Sequence, residues 1–298
     1  MNGSLIIAIC AGLGAMFGWG FADFFAKKTI GYIGDKPTLI WGHIIGSILF
    51  FLIIITNFGD KWVKQDSSIT FVMFLILCFF GIFQAVVYTY VYRAFRDADL
   101  VIISPIFASY SAITTILSII FLGEILNNQA TFGISLLMTG ILLLNLDFNA
   151  LKAKKIQFSN IPGMREVLIA TLMAAVWTLL WGFFLNDKNW LLLTGIMYGA
   201  MTLSLVIYNM FKGVNIFVVE SKVWKYLVLI GVGEVAAYLS ISIGFSHTNY
   251  ISIVALLSSA FSIPAIIMAY LFLNEKMNTA QVTGVVVLIA GIMILAIV

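Results

Sequence analysis

Ten blocks of mainly apolar residues run through this chain, separated by short polar connections. Each block is about 17 to 24 residues long, the length that crosses a hydrocarbon core of roughly 30 Å as an α-helix. A helix satisfies its own backbone hydrogen bonds in lipid, which an isolated strand does not. A transmembrane barrel would show short alternating segments, and none is present in the sequence. The blocks read as spans over Leu5–Ala26, Pro37–Thr56, Ile69–Tyr92, Leu100–Leu122, Ala130–Leu146, Val167–Leu185, Trp190–Phe211, Val223–Phe245, Ile251–Leu273 and Ala280–Val298. Hydrophobic residues make up 62% of the chain and charged residues 10%, against roughly 25% charged in soluble domains. The expected fold class is therefore all-α integral membrane, in the cell membrane and in contact with its lipid bilayer. The first lysine is Lys27, so the opening apolar run reads as a span rather than a cleaved leader.

The fifth block is followed by the one longer polar stretch, Asp147–Glu166, containing LKAKKIQFSNIPG. It divides the chain into residues 1–147, a linker at 148–165, and residues 166–298. The two parts are copies. Shifted by 151, Phe121, Leu122, Glu124, Asn127, Gly133, Gly140, Ile141 and Leu144 meet identical residues at Phe272, Leu273, Glu275, Asn278, Gly284, Gly291, Ile292 and Leu295. One span earlier a shift of 150 pairs Gly81 with Gly231, Tyr88 with Tyr238 and Phe95 with Phe245. At the start of each copy Trp19-Gly20-Phe21 matches Trp181-Gly182-Phe183. Each copy holds five spans, an odd number, so the second inserts upside down relative to the first. Inverted five-helix repeats are a recurrent transporter plan, because two similar halves can rock about a central midplane site.

The WG pair late in the first helix of each half, the GE or NE ending the fourth, and the G-x6-G that follows resemble the EamA-like branch of the drug/metabolite transporter superfamily. The resemblance covers nearly the whole chain. It implies ten helices in two inverted repeats, a central cavity shaped by the first four helices of each half, and fifth helices packed outside. It also implies transport of amino acids, other metabolites, sugars or drugs, and termini in the cytoplasm. The charges of this chain point the other way. Loops and span ends on one side carry 13 lysines and arginines, the other side 3, and the positive-inside rule turns both termini outward. The count carries the preference because it reads this chain itself, and the family's orientation is kept as the alternative.

Ionisable residues deep in a span are costly and mark functional candidates. Glu234 lies in mid-span, with Gln84 at the equivalent place in the first copy. Tyr238 and Tyr88 follow each by four residues, on the same helix face. Gln84, Tyr88, Glu234 and Tyr238 thus form a candidate substrate site, with Glu234 as proton carrier or, more plainly, as a helix-gluing hydrogen-bonder. Asp23 is a second proton-coupling candidate, though a pairing with Lys27 at i+4 is favoured for it. Trp19 and Trp181, placed by the repeat, are candidates for stacking a ligand, as is Trp177 with less reason. Ser109, within a polar fourth span that also holds Ser104, Tyr110, Ser111 and Thr114, is a further substrate-binding candidate. Ser258, Ser259 and Ser262 form its counterpart in the ninth. His43 reads as a packing group. Pro105 and Pro264 suit kinks, Gly42/Gly46 and Gly195/Gly199 close packing, and Glu124 and Glu275 helix capping.

No lysine or arginine falls in mid-span, which disfavours phosphorylated cargo. A small neutral, zwitterionic or cationic substrate is expected, moved by alternating access with possible proton coupling. A passive facilitator or channel is the alternative. An enzyme is not expected: H-E-x-x-H, G-x-S-x-G and the P-loop pattern are missing. With a net charge of +3 and no basic face, nucleic acid is not an expected partner. Two histidines, His43 and His247, and two cysteines, Cys10 and Cys78, sit apart in the sequence, so no metal and no cofactor is expected. The cysteines read as reduced apolar fillers, and the assembly as a monomer or homodimer.

Overall fold

The computed structural model describes residues 3–56, 69–124, 126–144, 162–214, 219–275 and 277–297. The expected linker at 148–165 lies mostly outside them. The described residues form helices and no strands. The first copy holds α1 (Gly3–Ile33), α2 (Asp35–Ile55), α3 (Phe71–Asp97), α4 (Leu100–Ala108), α5 (Tyr110–Leu122) and α6 (Asn128–Leu144). The second holds α7 (Met164–Leu185), α8 (Trp190–Phe211), α9 (Trp224–His247), α10 (Ile251–Ser259), α11 (Ser262–Phe272) and α12 (Thr279–Ile297), with a 3₁₀ turn at Ser221–Val223 before α9.

The expected fourth and ninth spans differ from the others. The helix over Leu100–Leu122 is interrupted at Ser109, whose amide reaches back to Pro105 O and Ile106 O. Ile251–Phe272 bends at Ala260 and Phe261, and Pro264 falls in the first turn of α11, where a missing N–H costs little. Pro105 also removes the donor for Val101 O, and Gln281 Nε2 supplies it instead at 3.0 Å. Among the described residues, eight helical segments are long and apolar enough to cross a membrane, with Leu100–Leu122 and Ile251–Phe272 each taken as one. The fifth and tenth blocks give shorter apolar stretches, Thr131–Gly140 and Thr279–Gly291. Large apolar side chains cover the outside: Phe51, Phe71, Phe79, Leu172, Leu203, Phe211 and Val286 are all exposed. Such a coat needs lipid rather than water against it.

Packing between the copies obeys a two-fold rule. The contacts α1·α9 and α7·α3 are equivalent, as are α3·α8 and α9·α2, α1·α10 and α7·α4, and α5·α10 and α11·α4. A contact of element i with element j of the other copy, matched by j with i, is the signature of a self-complementary two-fold interface. Equivalent helices that touch run antiparallel. Gly140 of α6 lies against Gly284 and Leu288 of α12, while Gly291 lies against Gly133 and Leu137. Likewise Ser47 donates to Thr202 at 2.8 Å while Gly195 faces Ile54. The repeat is therefore inverted in space as well as in span parity.

Glycine sets the closest approach. A Cβ at Gly18 would stand 2.7 Å from Gly233 O and 2.8 Å from Ala237 N, both backbone atoms of α9. Ser47 and Thr202 meet where α2 crosses α8. Gly42 and Gly46 do pack tightly, on Ile230 and Tyr198. Gly199 meets nothing within 4 Å, so its expected packing role fails: it stands on the wrong face of α8.

The two copies also cap one another. Glu124, after α5, accepts from Ser252 N at 3.1 Å at the start of α10, and from the Ser252 and Ser118 hydroxyls. Glu275, after α11, accepts from Val101 N at 2.9 Å at the start of α4. Each carboxylate thus serves a helix N-terminus of the opposite copy, where unsatisfied N–H groups and the helix dipole favour negative charge. Asn278 and Gln281 add a reciprocal capping box, with bonds of 2.8 and 2.9 Å. Burial nonetheless holds the Glu124 carboxyl above the usual value near 4.5, against the pull of its serine donors. A raised folded pKa contributes stability that is present below the ordinary carboxylate value and lost as pH rises through the folded one. The melting midpoint of the parent is expected to fall with rising pH across that window relative to Glu124→Gln, measured by thermal unfolding in detergent. Two superimposable pH profiles would refute this.

Candidate functional site

Close packing at Gly18 and Gly233 brings their neighbours Trp19 and Glu234 together. Trp19 Nε1 donates to Glu234 Oε2 at 3.2 Å. Tyr88 OH donates to the same oxygen at 2.7 Å. Across the pseudo-two-fold axis the equivalent pair repeats the bond: Gln84 Nε2 donates to Tyr238 OH at 2.9 Å. Gln84 corresponds to Glu234 and Tyr88 to Tyr238, so the four side chains form a crossed quartet, each copy's amide or carboxyl bonding the other copy's phenol. All four are buried, Glu234 completely. Glu234 Oε1 and Gln84 Oε1 have no hydrogen-bond partner among the described residues. Buried polar oxygens of this kind are sites for water or a bound group.

His43 of α2 and Tyr198 of α8 stack beside the quartet with centroids 5.5 Å apart and 15° between planes. His43 lies 4.8 Å from the Tyr88 ring. Its Nδ1 donates to Leu39 O at 2.8 Å, since a carbonyl only accepts. That leaves Nε2 as the bare acceptor, buried and unpartnered among the described residues. Sequence reasoning set His43 aside as packing; its position beside the quartet was hidden because nothing local reports which face of α2 turns inward.

A cavity of about 30 Å³ adjoins the quartet, lined by Trp19, Asp23, Gln84, Tyr88, Val91, Phe107 and Tyr110 of the first copy and Ala174, Trp177, Thr178 and Phe261 of the second. That volume holds about one or two waters, so a solute needs the cavity to widen. The lining contains no lysine or arginine. The cavity lies off the axis, and Trp181 explains why. It occupies the position equivalent to Trp19, but it is fully buried and packed 5.1 Å from Phe80, 5.6 Å from Trp177 and 5.7 Å from Phe184. Trp181 therefore fills the mirror-related space, and Trp177, held by a bond from Nε1 to Phe80 O at 3.0 Å, faces the cavity in its place.

Ser109 is not in the lining either. Its hydroxyl donates to Ile106 O at 2.6 Å, within the bend between α4 and α5. The serines of the bent helices bond each other, as Ser259 does Ser111 at 2.7 Å. Asp23 is placed otherwise than expected. Lys27 does not pair with it: Lys27 Nζ donates to Phe95 O and Ala98 O, both at 2.6 Å, at the end of α3. Those carbonyls are end-of-helix acceptors that draw a cation, and Asp23 is left at the cavity wall, 5% exposed. A second, larger hollow of about 750 Å³ opens at the end of the bundle near Glu124, Asn186, His247 and Asn249. Among the described residues, no group of three or more His, Cys, Asp or Glu side chains could hold a metal ion.

Comparison with known proteins follows the same division of the chain. Residues 6–146 and residues 162–297 each match the EamA-like transporter family. No curated protein sequence matches the chain. Among solved structures, one crystal structure aligns over 97% of this chain and 96% of its own, with a TM-score of 0.70 and 14% identity. At that identity the likeness speaks for the fold alone. Two family matches, one on each copy and together spanning nearly all of the sequence, place this multi-pass membrane chain in the EamA-like transporter family.

Proposed function

We propose that this protein is a secondary transporter that moves a small neutral, zwitterionic or cationic metabolite across the cell membrane by alternating access, coupled to protons through Glu234. The observation that carries the reading is the crossed quartet. Among the described residues Glu234 bonds through one oxygen only, so the other can take and release a proton as the surroundings rearrange. A site on a pseudo-two-fold axis between inverted halves is equally reachable from either side. In this reading residues 1–147 and 166–298 are the two halves, and the shorter α6 and α12 complete ten spans. Gln84, Tyr88, Glu234, Tyr238 and Trp19 form the substrate site, Asp23 is the second candidate for coupling, and Trp181 and Ser109 support it from behind. The lysine- and arginine-rich loops lie in the cytoplasm, and the protein acts as a monomer or homodimer without cofactor.

The lack of cationic lining disfavours phosphorylated cargo, which needs buried positive partners. The second reading, a passive facilitator in which Glu234 is structural, is separated by one measurement. In proteoliposomes with an imposed pH gradient, uptake above equilibrium is expected, and a protonophore should bring it down to simple equilibration. Flux indifferent to the protonophore would leave only the facilitator.

A further inference from the structure

We infer that Asp23 is the recognition carboxylate for an organic cation, an alkylammonium or quaternary ammonium group held in an aromatic cage. The inference rests on the transport-site reading of the same cavity, and it names the cargo's charge. Asp23 is almost wholly buried, and no lysine or arginine pairs with it among the described residues. Lys27, one turn further along α1, is committed to the carbonyls of Phe95 and Ala98. A buried carboxylate without a partner is costly, and a cation brought into the site relieves that cost.

The walls around Asp23 suit an organic cation rather than a metal ion. Trp19, one turn before Asp23 on α1, meets Phe261 edge-on at 6.4 Å, and Phe107 lies 5.9 Å from Phe261. Trp177 and Tyr88 complete an aromatic enclosure. Ring faces attract a desolvated cation through their quadrupoles, and most strongly at tryptophan. A metal site is commonly built from several His, Cys, Asp or Glu side chains, and the described residues hold no group of three or more of these that could bind an ion. A zwitterion would carry its own carboxylate into a space already bordered by Asp23 and, behind Tyr88, by Glu234, with no cationic side chain in the lining to receive it.

The test compares choline with 3,3-dimethylbutan-1-ol, which has the same shape but no charge, on the purified full-length chain. Tryptophan fluorescence and thermal shift are the readouts, because a ligand that binds only the folded state raises the midpoint. Choline is expected to bind at least about tenfold tighter than the alcohol. Asp23→Asn is expected to weaken choline about thirtyfold or more, the usual consequence of truncating one partner of a buried charge pair, without altering binding of the alcohol. Asp23→Glu should keep most of the affinity, and the unliganded melting midpoints show whether each variant folds. Equal binding of the alcohol, tighter binding of zwitterionic phenylalanine, unchanged choline binding by a folded Asp23→Asn chain, or no binding of any probe would each overturn the inference. Binding of choline without flux in vesicles would instead remove the transport reading and leave the cation site standing.

Discussion

Glu234→Gln is expected to reduce proton-driven uptake to the level of protein-free vesicles while the purified chain stays folded. The amide has nearly the shape of the carboxyl, and its oxygen can still accept from Trp19 and Tyr88, the two donors at 3.2 and 2.7 Å. It cannot carry a proton. The quartet makes a stronger form of the test available. Gln84 and Glu234 occupy equivalent places, and each bonds the tyrosine of the opposite copy. Moving the carboxyl to the other side of the axis, as Gln84→Glu combined with Glu234→Gln, keeps the number of ionisable groups and the pattern of crossed bonds. Coupled uptake should return in part. The return should be incomplete, because Trp19 bonds Glu234 whereas the equivalent Trp181 Nε1 has no partner among the described residues. Full coupled uptake in the single Glu234→Gln variant would retire that residue as the carrier.

The second large effect is expected at Gly18. Leucine there must push its Cβ into Gly233 O and Ala237 N, which stand 2.7 and 2.8 Å away and belong to the α9 backbone. No side-chain rotation relieves such a clash. Overpacking of this kind costs about 3 kcal/mol or more where the neighbours are rigid, and a drop of several degrees in the melting midpoint should follow. The loss should extend to the site, because Trp19 and Glu234 are the immediate neighbours of the two glycines and their bond depends on the same approach. Gly199→Ala serves as the comparison. It meets open space and replaces glycine in mid-helix, so it should be neutral or stabilise by about 0.5–1 kcal/mol. A Gly18→Leu chain as stable as the parent would mean that α1 and α9 do not cross where the structure puts them.

These residues also show what could be read from sequence. Eight of the ten expected span positions were legible, because apolar block length responds directly to the thickness of lipid, whereas the fifth and tenth blocks give shorter apolar stretches. The pseudo-symmetry was legible from glycines and paired glutamates, whose recurrence at one shift is hard to produce by chance. Gln84, Tyr88, Glu234 and Tyr238 followed from the repeat together with i, i+4 spacing. What stayed hidden depends on helix rotation and on partners distant in the chain. Trp181 and Trp177 lie one turn apart on α7, and only the packing of Phe80 and Phe184 turns one into filler and the other into lining. Lys27 stands at the right spacing for Asp23, yet the open carbonyls at the end of α3 take it instead. The capping role of Glu124 and Glu275 was readable, but the identity of the capped helices was not, since each belongs to the other copy.

The reciprocal helix contacts and the exchanged glutamate caps bear on how the molecule comes apart. Much of the inward surface of either copy finds its cover in its counterpart, and each copy supplies the carboxylate that caps a helix start of the other. What looks on paper like a tandem of two domains is therefore expected to unfold as a single cooperative body. Its nearest analogue is an obligate dimer whose subunits share one polypeptide.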